Sequence, residues 1–221
     1  MGARLQRFKY GIIYPNSMVK NNNYGKAEYS LRERILKLLI ENKREWTILE
    51  IAKELGVDYK NTFQAMGKLS PLVDKRKKGN LNLVKIKMNS DLDIFNVEKK
   101  RTRDFLIKDK MSGLVKEDIE KLNYPFFIVL IFGSIVRGKF TDKSDVDICI
   151  ISDNLDKTKE LISKIRLLPQ KIEIHDFTTD EFVSMLDKTQ NNLSKEIIKE
   201  NIILFGVENY YNLVSKWMKK E

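Results

Sequence analysis

The segment Ile131–Ile151, "IFGSIVRGKFTDKSDVDICII", carries the most informative pattern in this chain of 221 residues. An apolar run ends at Gly133 and Ser134, and the next apolar run holds Asp145 and Asp147, one on each side of a valine. Side chains alternate between the two faces of a β-strand, so the two aspartates share one face. Because charge is costly to bury without a partner, this face predicts a bound cation.

A later segment, "KIEIHDF", predicts a third strand that brings more polar groups to the same place. Glu173 and His175 share one face of it, and Ile172 and Ile174 share the other. Carboxylates on neighbouring strands can converge, and their hard oxygen ligands suit Mg²⁺. Glu173 and Asp176 compete for the role of third acid, and the alternation favours Glu173. His175 is either a packed, hydrogen-bonded side chain or a proton acceptor near neutral pH.

The Gly133-Ser134 pair has the properties of a phosphate-binding loop. Glycine lets the backbone approach a phosphate closely, the serine hydroxyl can donate to it, and backbone N–H groups at a helix start favour negative charge. Arg137, Lys139 and Lys143 in the following spacer are candidates for phosphate contacts, although solvated loop charge explains the two lysines equally well. The loop would then hold a triphosphate beside carboxylates that hold the bridging metals.

With an apolar strand, Gly-Ser, a spacer and an Asp-x-Asp strand, the chain resembles the minimal nucleotidyltransferases of the DNA polymerase β superfamily. The resemblance covers about residues 115–215, in which "IILFGVENYYNLV" looks like the family's closing helical segment. It implies an α/β (α+β) domain with a mixed sheet that uses Mg²⁺ and ATP or another nucleoside triphosphate. The implied catalytic and metal-binding residues are Asp145, Asp147 and Glu173, and the implied nucleotide-binding residues are Gly133, Ser134, Arg137 and Ser144.

The same resemblance bears on the acceptor of the transferred nucleotide. Minimal nucleotidyltransferases resemble antitoxins that modify an accompanying all-helical ribonuclease toxin, so a helical, toxin-like protein is an expected acceptor and partner. No added acidic domain that would bind an aminoglycoside is visible in the sequence. The oligomeric state is open, and a homodimer is compatible with the sequence.

The positive charge of the chain belongs to its first part. Residues 1–90 carry 19 Lys and Arg against 8 Asp and Glu, whereas residues 91–221 carry 22 against 23. This asymmetry predicts two domains, of which the first binds a polyanion, unless the lysines are merely solvated. The single cysteine, Cys149, excludes an internal disulfide and fits core packing. The apolar runs are too short to cross a bilayer, and we expect a cytoplasmic protein.

Within the basic part, helical periodicity runs from Tyr29 to about Asn42. Thr47 with Glu50 fits a capping box, and Gly56 fits the end of that second helix. A further helix is predicted from Tyr59 to Leu69, followed by a β-hairpin around "KKGN". Two helices joined by a tight glycine turn are typical of a helix-turn-helix.

With its basic hairpin, this region resembles a winged helix-turn-helix domain that binds duplex DNA. The resemblance implies that the helix at 59–69 enters the major groove with Tyr59, Lys60, Asn61, Gln64 and Lys68. The wing would bring Arg76, Lys77 and Lys78 to phosphates. A small helical domain for protein docking or dimerisation is the alternative.

The sequence therefore predicts an N-terminal arm over 1–27, a winged helix-turn-helix domain over 28–90, a linker helix over 91–112 and a nucleotidyltransferase domain over 113–221. Two functions fit this organisation. One is an enzyme that transfers a nucleoside monophosphate, with AMP expected, to a hydroxyl acceptor while tethered to DNA. The other is a transcriptional regulator whose nucleotidyltransferase-like domain senses nucleotide or docks a partner without catalysis.

Overall fold

The computed structural model describes residues 5–7, 13–15, 27–139, 144–187 and 193–218. The strands in this part of the chain are β1 (Leu5–Arg7), β2 (Ile13–Pro15), β3 (Trp46–Thr47), β4 (Val73–Lys78), β5 (Leu81–Ile86), β6 (Ile128–Phe132), β7 (Val146–Ile151), β8 (Ile172–Phe177) and β9 (Asn201–Phe205). The helices are α1 (Leu31–Glu41), α2 (Ile48–Leu55), α3 (Tyr59–Lys68), α4 (Leu92–Lys108), α5 (Lys110–Lys121), α6 (Leu155–Ile165), α7 (Thr179–Leu186), α8 (Leu193–Lys199) and α9 (Val207–Met218).

The first three helices follow the sequence signals closely. Helix α2 begins after Thr47, whose hydroxyl accepts from the backbone of Glu50, while the Glu50 carboxylate accepts from the backbone of Thr47. Such a capping box pairs N–H groups that otherwise lack a partner at a helix start. Gly56 ends the helix with φ +61°, a left-handed conformation that suits glycine. The predicted capping box and glycine turn are confirmed.

The predicted hairpin is also confirmed, and it belongs to a small antiparallel sheet of order β3-β5-β4. In this sheet β4 pairs with β5 from Val73 opposite Ile86 to Lys78 opposite Leu81. Strand β3 adds Trp46, which is buried while the Arg44 guanidinium lies over its ring at 3.4 Å from the centroid. The use of this region for binding DNA stays a prediction.

The C-terminal part is built on a four-stranded mixed sheet of order β8-β7-β6-β9, as predicted for the α/β class. Strand β6 runs antiparallel to both β7 and β9, and β7 runs parallel to β8. The segment "IILFGVENYYNLV", predicted as a closing helical segment, is not helical at its start, because Ile202–Phe205 lies in the edge strand β9. Only the part from Val207 onward is helix α9.

Each face of this sheet packs against helices. Val129, Ile131, Ile148 and Ile150 form one cluster with buried residues of α5 and α6. The opposite face, with Leu130, Phe132 and Cys149, packs against α7, α8 and α9. The cluster on that second face continues through α4 into the core of α1 and α3, so the buried residues of the N-terminal and C-terminal parts form one continuous cluster.

Helix α4 joins the two parts through buried polar contacts as well as apolar ones. Its Arg101 contacts the carboxylates of Glu98 and Glu41 and donates to the backbone oxygen of Asn201 at 3.0 Å. The Tyr211 hydroxyl donates to Glu98 at 2.7 Å. A buried ion pair is tolerable only when its remaining hydrogen-bonding groups are satisfied, and these contacts do that. The predicted linker helix over 91–112 thus ends at Lys108, and α5 begins two residues later.

Among the helices of the described residues, none combines the length and the apolar character needed to cross a membrane.

Candidate active site

The candidate residues meet at one end of the mixed sheet. Strand β6 ends at Phe132, which pairs with Asp147 near the start of the antiparallel strand β7. Strand β8 is parallel to β7 and starts at the same end, so Glu173 lies directly opposite Asp147. The strand topology therefore brings Gly133, Asp147 and Glu173 together, although Gly133 and Glu173 are 40 residues apart in the sequence.

Gly133 is shaped to accommodate the Asp147 carboxylate. Its φ is +76°, and a Cβ atom built on it would lie 2.0 Å from Asp147 Oδ2. Atoms essentially never approach so closely, so any side chain at 133 would displace this carboxylate. The glycine predicted to contact phosphate is thus also the residue that allows Asp147 to lie against the loop.

Asp147, Glu173 and His175 form the acidic centre of the site. One ligand atom from each of these three residues lies within 4.8 Å of the others, and His175 Nε2 is 3.4 Å from Glu173 Oε1. Burial and the negative charge of Glu173 raise the pKa of Asp147 above its usual value. Two facing carboxylates of this kind gain from a cation placed between them.

His175 packs its ring near Phe132, with the ring centroids 5.6 Å apart. The structure thus has a packed histidine that also faces a carboxylate, and its use as a proton acceptor stays a prediction. Asp176, the competing third acid, lies opposite Ile150 and is exposed. By strand alternation it points to the other face, away from Asp147.

Asp145 lies just before β7, and only one of its two carboxylate oxygens has a hydrogen-bond partner among the described residues. Its Oδ2 accepts from Lys171 Nζ at 2.7 Å, an ion pair that raises the pKa of Lys171. Its Oδ1 is buried and has no hydrogen-bond partner among the described residues. A buried carboxylate oxygen without a donor costs free energy, so this atom fits a place for a cation or another ligand.

The donor set tests whether a magnesium site fits here. The carboxylates of Asp145, Asp147 and Glu173 are hard oxygen ligands, one of them with an unpartnered oxygen and one pressed against a glycine. Mg²⁺ binds to proteins through such carboxylates together with substrate phosphates. Asp147 and Glu173 therefore fit the metal, whereas Asp145 lies outside the cluster of ligand atoms within 4.8 Å and offers its unpartnered Oδ1 while Oδ2 is paired with Lys171.

The loop between β6 and β7 contains the remaining nucleotide-binding candidates. Ser134 is half-buried, and its backbone oxygen accepts from the N–H of Lys139. Arg137 is exposed, and its guanidinium forms ion pairs with Glu196 at 2.9 Å and Glu200 at 3.7 Å. Ser144 is half-buried next to Asp145. Lys143 lies outside the described residues.

Lys171, Glu196 and Glu200 also contribute to this site, and they were not predicted from the sequence. A signal for Lys171 existed, because the parallel pairing of Val146 with Ile172 places the preceding residues, Asp145 and Lys171, side by side. Glu196 and Glu200 gave no such signal, because their approach to Arg137 depends on where α8 packs.

The DNA-binding candidates lie on exposed surfaces of the N-terminal part. Helix α3 exposes Lys60, Asn61, Gln64 and Lys68, whereas Thr62, Ala65 and Met66 face the core. The wing candidates Arg76, Lys77 and Lys78 are exposed on β4, and Arg76 is 3.5 Å from Glu45. Tyr59 and Phe63 add two exposed rings stacked at 6.2 Å on α3.

Comparison with known families bears on the C-terminal part alone. Residues 123–209 match the family model described as Polymerase beta, Nucleotidyltransferase. The matched segment contains every residue of the acidic centre and the Gly-Ser loop, so it supports the nucleotidyltransferase superfamily and a transferase in general. A search of curated proteins and a search of solved structures each found no match.

Proposed function

We propose that this chain is a magnesium-dependent nucleotidyltransferase. It transfers a nucleoside monophosphate, which we expect to be AMP, from a nucleoside triphosphate to a hydroxyl group of a protein. The observation that carries the proposal is the Asp147 carboxylate, seated on Gly133 and facing Glu173 across the parallel pair of strands. A nucleotidyltransferase needs carboxylates beside a phosphate-binding loop, and here the two touch.

In the proposed reaction the hydroxyl oxygen of the acceptor attacks the α-phosphorus, the bond from that phosphorus to the bridging oxygen breaks, and pyrophosphate leaves. Asp145, Asp147 and Glu173 would hold magnesium, which would supply Lewis-acid stabilisation of the charge on the phosphates. The Gly133 backbone and the Ser134 hydroxyl bind the triphosphate. His175, whose Nε2 lies 3.4 Å from Glu173 Oε1, is the group that can accept the proton of the acceptor hydroxyl.

The exposure of the site favours a macromolecular acceptor. The Glu173 side chain is 57% exposed, so the acidic centre opens to solvent rather than into an enclosed cavity. A small metabolite would need further walls to hold it, whereas a protein brings its own surface to an open site. We therefore place the hydroxyl on a partner protein of the helical, toxin-like class.

Calorimetric titration with ATP, in the presence and absence of Mg²⁺, tests the nucleotide site. The double variant Asp145→Asn and Asp147→Asn should lose the metal-dependent part of the affinity while its melting temperature stays within a few degrees of the wild type. Asp176→Asn is the matched control, because it removes one exposed carboxylate from the same strand region. Unchanged metal-dependent affinity in the double variant would refute the site assignment.

The proposal also includes DNA binding by the N-terminal part, supported by its charge and by the exposure of the α3 and wing cations. Each bound phosphate releases counterions, so affinity for duplex DNA should fall steeply with salt. Replacing Arg76, Lys77 and Lys78 by Gln should reduce the slope of log K against log salt by about 0.9 for each phosphate that the wing no longer neutralises. Replacing the α6 lysines at 157, 159 and 164 by Gln removes equal charge elsewhere and serves as the control.

A regulator without catalysis is the second candidate, and the continuous buried cluster between the two parts favours it. That cluster gives a physical path by which nucleotide binding could change DNA affinity, through α4. In this case ATP would alter the DNA dissociation constant while no nucleotide was transferred. Salt-independent DNA binding, or none at low salt, would instead favour protein docking by the N-terminal part.

A further inference from the structure

A second concave site lies at the end of the mixed sheet opposite Asp147. It is a cavity of about 640 Å³ between α4, α5 and the edge strand β9. The lining residues Pro125 and Phe126 lie just before strand β6, which begins at Ile128 and ends at the acidic centre after Phe132. The length of the strand therefore separates the cavity from the proposed nucleotide site.

The walls of this cavity are mainly apolar. Leu106 of α4, Leu114 of α5 and the Phe126 ring line it together with Phe205 and Val207. Phe126 is 67% exposed, and its ring packs edge-to-face against Tyr124 with the centroids 5.5 Å apart, so most of its apolar surface is open to solvent. A volume in this range is typical of sites that bind a small molecule of some tens of atoms.

One polar group in the cavity wall lacks a partner. Arg103 lines the cavity, and its Nε atom is buried without a hydrogen-bond acceptor among the described residues. Its neighbours on α4 differ in this respect, because Arg101 and Thr102 donate to the backbone oxygens of Asn201 and Ile203. A guanidinium keeps its charge at every physiological pH, so the acceptor that best satisfies Arg103 is an anion.

The other charged groups around the cavity allow such an anion. The lining cations are Lys99, Lys110 and Lys116 in addition to Arg103, and the lining acids are Glu117, Glu120 and Glu208. Lys116 and Glu120 form an ion pair with each other. Apart from that pair, the lining holds the cations Lys99, Arg103 and Lys110 and the acids Glu117 and Glu208, which leaves an excess of one positive charge for an anion. The apolar walls leave the rest of the space to an uncharged body.

From these contacts we infer that the cavity binds an organic acid with an apolar body, whose carboxylate accepts from the Arg103 guanidinium. The inferred ligand is not the nucleotide, so this inference does not depend on the proposed nucleotide transfer. Its apolar body fills the space between Leu114, Phe126 and Phe205. The acid supplies the acceptor that the protein itself does not provide.

Calorimetry on the full chain with decanoate and with 1-decanol separates the contribution of the carboxylate from that of the apolar body. Decanoate should bind at one site per chain and at least tenfold more tightly than the alcohol of equal length. Arg103→Gln should weaken decanoate binding about tenfold to a hundredfold, the range for a charge-assisted hydrogen bond, and leave decanol unchanged. Arg166→Gln, at an exposed arginine beyond the end of α6, is the matched control and should change neither.

A second variant blocks the cavity while keeping every polar group in its wall. Gly113 lines the cavity within α5, and a Cβ atom on it would meet no atom within 4 Å. Gly113→Leu should therefore fill the space and weaken both ligands, while the better helix propensity of leucine keeps the melting temperature at or above that of the wild type. Absence of decanoate binding to the wild type, equal binding of acid and alcohol, or wild-type affinity in Arg103→Gln would overturn the inference.

Discussion

Gly133→Ala is the substitution that most sharply separates a functional glycine from a structural one. The added Cβ would lie 2.0 Å from Asp147 Oδ2 and 3.0 Å from its Cγ. The obstructing atoms are the end of a side chain that can rotate, so the fold can relieve the contact by moving the carboxylate. The geometry of the site should therefore suffer more than the stability of the fold.

The two effects can be given magnitudes. A non-glycine residue in the left-handed region costs about 1–2 kcal/mol. For a chain of this size that corresponds to a drop in melting temperature of about 2–8 °C. Displacing a ligand through the residue that supports it typically lowers metal affinity by about 10–100-fold. We expect both effects at Gly133, with the second read as a loss of Mg²⁺-dependent ATP affinity.

Gly79→Ala provides the control, because Gly79 has φ +57° and open space where its Cβ would lie. It should reproduce the loss of melting temperature and leave ATP binding unchanged. Calorimetry and thermal denaturation on the two variants, side by side, give the comparison. Wild-type Mg²⁺-dependent affinity in Gly133→Ala would refute the argument that Asp147 needs this glycine.

Three other changes test the packing that supports the site. Gly206→Ala should destabilise the fold more than Gly133→Ala, because its Cβ would lie 2.1 Å from the backbone oxygen of Phe127, which cannot rotate away; urea denaturation measures the difference. Arg101→Met should cost about 3–5 kcal/mol in the same assay because it leaves the buried Glu98 carboxylate without a cation, with only the Tyr211 hydroxyl as partner, and a wild-type midpoint would contradict the buried ion pair. Burial and the nearby Arg101 lower the pKa of Lys43 to about 8, from 10.5 in the unfolded chain, so the unfolded state binds more protons between these values. The stability of the wild type relative to Lys43→Met should accordingly rise from pH 8 to pH 10, and a flat difference would exclude the shift.

The parts of the structure that follow from local chemistry were predictable from the sequence. The capping box of Thr47 and Glu50, the left-handed Gly56 and the turn of the β4-β5 hairpin each depend on residues within a few positions. The pairing of Glu173 with Asp147 also follows from strand alternation once the two strands are taken as parallel neighbours. Local propensity and period-two patterning were sufficient for these features.

Features that depend on distant packing were not predictable in the same way. The apolar residues 202–205 suit a strand or a helix equally, and only pairing with β6, some 70 residues away in the chain, makes them strand β9. Glu98 and Arg101 read as charges on an exposed linker helix, because the contacts that allow their burial come from Glu41 and Tyr211. The Arg137 contacts with Glu196 and Glu200 likewise arise from the packing of α8.

The central claim is the transfer of a nucleoside monophosphate, and the position of the label in ATP tests it directly. The chain is incubated with Mg²⁺ and a helical candidate partner, using ATP labelled at either the α- or the γ-phosphate. We expect covalent labelling of the partner from the α-position only, and none with Asp147→Asn. Tight ATP binding without α-label on any protein, or equal labelling by Asp147→Asn, would contradict it.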